Sequence, residues 1–155
     1  MLYPLLALAM LASVTRQGRD ADSVRHVRYT AAMHALDDSL GTVRAATARF
    51  QADLPNASPD LILARSSRLQ ARCVGAARAA AALDSVLPPT APHRALAELR
   101  VTLSHCTEDF APGRGYERVD SLRAWAPHRM AQIEEAAQRY HLAVAPLEKK
   151  PPPKN

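Results

Sequence analysis

The residues with the chemistry to bind or react are six histidines, two cysteines and fifteen carboxylates in a chain of 155 residues. His34 has Asp37 and Asp38 three and four residues on, and His105 has Glu108 and Asp109 at the same offsets. Asp22 lies four residues before His26. Each spacing puts an imidazole and a carboxylate on one face of a helix, which is half of a metal site. Zinc and di-iron sites need three or four converging ligands, and the Glu-x-x-His pattern of di-iron bundles is absent. The neighbouring carboxylates Asp37/Asp38, Glu108/Asp109 and Glu134/Glu135 point to different sides of a helix, so they do not form an acid-base pair. No nucleophile elbow, phosphate-binding glycine loop, zincin motif or haem-attachment motif occurs. The expectation is a protein with no catalytic residues and no metal site.

The cysteines, Cys73 and Cys106, are the more informative pair. Each falls on an apolar seam of a helix-like segment, and Thr90 lies near the middle of the proline-rich turn between those segments. Cys73 lies 17 residues before Thr90 and Cys106 lies 16 after it. At about 1.5 Å per residue the two stand at nearly the same height on antiparallel helices. Gly75, Ala76 and Ala77 beside Cys73 leave room for close approach. A disulfide is expected, closing a loop worth about 3–4 kcal/mol of chain entropy. Thiol catalysis would want an exposed thiol or a C-x-x-C pair, and neither pattern is present.

The elements that must carry these residues read as helices throughout. Met33, Leu36, Leu40, Val43, Thr47, Phe50 and Leu54 step by three and four, as does Ile62, Ser66, Leu69, Cys73, Ala76, Ala80, Leu83 and Leu87. A third seam runs Leu96, Leu99, Leu103, Cys106 and Phe110. A fourth runs Val119, Leu122, Ala126, Met130, Ile133, Ala137, Tyr140 and Val144. Helix one is expected to begin near Asp20 or Asp22, and helix two at Ser58–Pro59, ending at Pro88. Helix three should begin at Pro92. The A-P-H-R stretch occurs at 91–94 and 126–129, and both copies read as helix starts. The predicted fold is all-α, an up-down-up-down four-helix bundle over 20–145, with a fourth helix interrupted or kinked at Pro127.

The flanks differ in composition. MLYPLLALAMLASV is apolar for about a dozen residues, short of the ~20 that cross a bilayer, and matches the core of a secretory signal peptide over 1–13. The expected location is periplasmic or secreted, with no membrane span in the mature chain. The tail from 146 to 155 is proline- and lysine-rich and is expected to be disordered.

Net charge is +5, and the three lysines (Lys149, Lys150, Lys154) all lie in the last seven residues. The arginines are spread from Arg16 to Arg139, and aromatic residues make up 5% of the chain. A nucleic-acid partner would need a concentrated basic face with stacking aromatics, so none is expected. Arg65, Arg68 and Arg72 form one stripe on one helix, read as a solvated face.

One stretch carries a family resemblance. MHALDDSL, with Met33, Leu36, Asp38 and Leu40, resembles the opening of the first helix in the periplasmic cytochrome b562 family. Tyr140 and His141 stand where that family ends its fourth helix with a Tyr-His pair. The resemblance implies a four-helix fold and non-covalent haem b, with Met33 and His141 as axial ligands, in an electron carrier or haem store. From the residues themselves the leading expectation is a stapled, non-catalytic bundle with a binding or structural role and a protein partner of unknown identity. A further alternative is a basic protein that binds anionic surfaces through its arginines and its KKPPPK tail.

Overall fold

The computed structural model describes residues 4–113 and 116–148, with their side chains over 23–113 and 117–145. Four helices follow in order: α1 (Pro4–Asp53), α2 (Pro59–Asp84), α3 (His93–Asp109) and α4 (Tyr116–Glu148). At 1.5 Å per residue they are about 75, 39, 26 and 50 Å long. No strand occurs among the described residues.

The helices alternate in direction, and side-chain contacts give the register. Arg65 Nε on α2 meets Asp53 Oδ2 on α1 at 2.6 Å. Arg44 Nε on α1 donates to both carboxylate oxygens of Glu134 on α4 at 3.1 Å. His141 Nε2 lies 3.2 Å from Asp37 Oδ1, so residues 37 and 44 of α1 face 141 and 134 of α4. The expected up-down-up-down bundle is what forms.

The core is the four seams. Every residue named on α1, α3 and α4 is buried, and so are those on α2 except Leu87, which is half-buried beyond the end of the helix. Ala136 joins them from α4. The two buried polar residues of the seams, Thr47 and Ser66, each bond to a backbone carbonyl. Thr47 Oγ1 donates to the Arg44 carbonyl at 2.8 Å, and Ser66 Oγ donates to the Phe110 carbonyl at 3.3 Å. At one end Phe110 meets Phe50 edge-on at 5.9 Å and Trp125 at 5.1 Å, and toward the other end the Tyr140 and His141 rings lie 5.6 Å apart.

Several boundaries differ from expectation. Helix α1 begins at Pro4 rather than near residue 20, because the sequence between holds no proline after Pro4 and only Gly18 as a weak breaker. Side chains of 1–22 lie outside the described residues, so of the segment 1–13 expected to be a signal peptide only the helical backbone from Pro4 is described. Helix α2 starts as read: Ser58 is the N-cap, its hydroxyl accepting from the Leu61 amide at 3.4 Å, with Pro59 in the first turn. It ends earlier than read, at Asp84, where Ser85 closes it and its hydroxyl donates to the Ala82 carbonyl at 2.7 Å. Helix α3 begins at His93 with Pro92 as its cap.

Helix α4 runs unbroken through Pro127, so the split arrangement does not occur and the second A-P-H-R lies inside a helix rather than starting one. Pro127 removes one helix hydrogen bond, a cost of about 3 kcal/mol. Burial on both sides of it offsets this, with Leu122 and Ala126 before and Met130 and Ile133 after. Helix α4 also passes Pro146 and ends at Glu148, three residues into the expected tail. The remainder, 149–155, with Lys149, Lys150 and Lys154, lies outside the described residues.

Two arginines of α4 hold the C-termini of other helices. Arg118 donates to the carbonyls of Asp109 and Ala111, while its guanidinium lies 5.6 Å from the centre of the Trp125 ring. Arg123 donates to the Leu54 carbonyl at 3.3 Å and the Ala57 carbonyl at 3.1 Å. The last carbonyls of a helix have no partner within it and carry the negative end of its dipole, so a cation there is favoured. Arg129 adds an ion pair to Asp109 at 2.5 Å.

Cys73 and Cys106 form a disulfide between α2 and α3, with Cα atoms 6.1 Å apart and both residues fully buried. Ala76 is buried beside it, but Gly75 is exposed, and a Cβ there would meet nothing within 4 Å. The close approach therefore rests on alanine, and Gly75 takes no part in it. Gly41 on α1 is equally open.

Two outcomes follow for stability. Gly41→Ala and Gly75→Ala should each stabilise the fold by about 0.5–1 kcal/mol, read as a rise in thermal midpoint. A loss at either would contradict an open helix face. The double variant Cys73→Ala/Cys106→Ala should lose about 3–4 kcal/mol in urea denaturation, the chain entropy of a loop spanning 33 residues. A double variant as stable as the parent would show that the bridge holds nothing.

Candidate functional site

The histidine-carboxylate pairs suggested by spacing do not assemble. His26, His34 and His105 are exposed. Of the carboxylates beside them, Asp37 pairs with His141, Asp109 with Arg129, and Glu108 accepts from Ser104 Oγ at 3.3 Å, while Asp38 is exposed. Glu134 and Glu135 pair with Arg44 and Arg139. The hydrogen bonds to Glu134, and then its charge, raise the Arg44 guanidinium above its already high ordinary value. Among the described residues no group of three or more histidine, cysteine or acidic side chains could hold a metal ion. Asp22 lies outside the described side chains.

Met33 and His141 stand on facing helices. Met33 is buried in the core seam of α1 and is 7% exposed. His141 lies on the flank of α4, about 40% exposed, with its Nε2 on Asp37. Asp37 is four residues beyond Met33, so His141 is level with a point about 6 Å along α1 from the methionine. The Met33 side chain fills the core, while the imidazole nitrogen that could face outward is on a carboxylate. Neither residue lines a groove described below.

The feature with the most binding character lies on the other side of the bundle. A groove of about 420 Å³ runs between α1 and α2. Its lips carry Arg49 from α1 and Arg65, Arg68 and Arg72 from α2, and Ala45, Ala46 and Ala71 line it between them. The three α2 arginines step by three and four, which keeps them on one helix face. Arg65 is tied to Asp53 at one end. Arg49, Arg68 and Arg72 are exposed and have no carboxylate partner among the described residues.

The register set by Asp53 and Arg65 places Arg49 opposite Arg68. Arg49 is four residues back along α1 and Arg68 three forward along α2, a mismatch of about 1.5 Å. Two guanidinium groups thus flank one groove with no acid between them. The α2 stripe was visible in the spacing as a solvated face. Its opposition by Arg49 was not, because no sequence pattern pairs residues 49 and 68 before the register between the two helices is known.

Comparisons of the chain with protein-family models, with curated proteins and with solved structures find no match.

Proposed function

We propose that this protein is an exported helical bundle that works by binding rather than by catalysis, in the periplasm or outside the cell. The Cys73–Cys106 bridge carries the reading. It joins two core positions of facing helices at 6.1 Å between Cα atoms. Such structural disulfides persist in oxidising compartments and are rare in reducing ones. The apolar segment at 1–13 supplies the matching export signal in sequence. A non-catalytic role is supported by the carboxylates Asp37, Asp53, Asp84, Asp109 and Glu134, each of which is used in an ion pair between helices. Among the described residues no helix is long and apolar enough to cross a membrane.

A b-type haem protein, as the cytochrome b562 resemblance implies, is the second reading. It is favoured by one observation: His141 meets α1 within about a turn of Met33. Haem would require His141 to leave Asp37 and Met33 to turn out of the core.

Two measurements test these readings. Produced with its own N-terminus in a bacterium that has an export pathway, the protein should be recovered from the periplasm or medium. Its mature N-terminus should fall between Ala9 and Thr15. Intact, unprocessed chain confined to the cytosol would contradict export. Titration with haem should give no saturable Soret band. A sharp band lost in Met33→Ala or His141→Ala would replace the binding reading with a haem one.

A further inference from the structure

The groove between α1 and α2 combines three features that an unoccupied helix face does not need. It is positively charged without compensation: four arginines line it, and only Arg65 has an acid partner. The uncompensated charges face each other across it, Arg49 on one lip and Arg68 on the other, with Arg72 one turn on. Its lining between the arginines is mostly methyl groups, from Ala45, Ala46 and Ala71, with Thr42 as the one other polar residue, its hydroxyl donating to the Ser39 carbonyl.

Guanidinium forks bind planar or tetrahedral oxyanions through pairs of parallel N–H donors. A carboxylate carries one negative charge and two oxygens in one plane. A phosphate monoester carries close to two negative charges on three oxygens spread tetrahedrally, so it can meet a fork from each side and balance both cations. Opposed arginines therefore favour phosphate over carboxylate. The alanine lining favours a ligand whose remainder is apolar and compact, and a volume of about 420 Å³ accommodates a small molecule.

We infer that the α1–α2 groove binds a phosphate monoester with a compact apolar body, its phosphate held between Arg49 and Arg68 and extended toward Arg72. This rests on the reading of the bundle as a binding protein and names the ligand chemistry. Arg65 closes the end of the site and is itself positioned by Asp53.

Calorimetric titration of the oxidised protein at fixed ionic strength tests this, with hexyl phosphate, hexanoate and inorganic phosphate as probes. Hexyl phosphate should bind one to one and more tightly than either of the others. Arg49→Gln and Arg68→Gln should each weaken it about tenfold or more. Arg78→Gln removes an exposed arginine of α2 outside the groove, with the same change in net charge, and should leave binding unaltered. Circular dichroism checks that each variant keeps its helices.

Four results would overturn the inference. One is no saturable binding of hexyl phosphate. A second is an equal loss in Arg78→Gln, which would mean diffuse attraction. A third is hexanoate or inorganic phosphate binding as tightly as hexyl phosphate. The last is binding confined to vesicles containing phosphatidic acid, which would make the face a membrane contact. None of these touches the export reading, which is decided by the location and mature N-terminus of the chain.

Discussion

The bond between Cys73 and Cys106 is the constraint on which the arrangement of helices depends. It ties the middle of α2 to the last turn of α3, through core positions of both seams. Helix α3 needs it most. It is the shortest of the four, at 17 residues, and its N-cap residue Pro92 makes no side-chain capping bond. A helix of that length is marginal in water without tertiary support. The bridge supplies that support from α2, and the Arg100–Asp84 ion pair adds a second contact between the same two helices.

The C-terminal end of α3, just beyond the bridge, is also held from α4. Arg118 takes the free carbonyls after Asp109, Arg129 takes the Asp109 carboxylate, and Trp125 packs on Phe110. Arg123 does the same for the end of α1. So α4 is fastened at both neighbouring helix ends over a short stretch around Pro127, the point at which its own hydrogen bonding is weakest. These contacts explain why a proline inside a helix does not divide it here. They also assign much of the arginine content to structure, which leaves Arg49, Arg68 and Arg72 as a distinct set.

Most of the fold was legible in the spacing of apolar residues. A seam that steps by three and four from Met33 to Leu54, or from Val119 to Val144, commits one side of a helix to burial, and those side chains are buried. The cysteine pairing was legible for the same reason, since a level count across one turn needs only helix rise. Features that depend on competition between local and tertiary forces were harder to read. The start of α1 is not visible in sequence, because a polar stretch after an apolar one resembles a boundary although nothing in it stops a helix. Pro127 resembles a break because its burial partners lie on other helices. Gly75 resembles a close-packing residue, a role that alanine fills, because glycine beside cysteine looks the same in sequence whichever way it faces. The arginine groove was only half legible, since one of its lips belongs to a different helix.

The proposed export rests on the oxidation state of one pair of sulfurs, because structural disulfides persist in oxidising compartments and are rare in reducing ones. The decisive measurement is the intact mass of the protein taken from its native compartment, alkylated once without reduction and once after it. The account predicts no alkylation before reduction, two alkylated thiols after it, and a native mass two hydrogens below that of the fully reduced chain. Two free thiols in the native protein would contradict it.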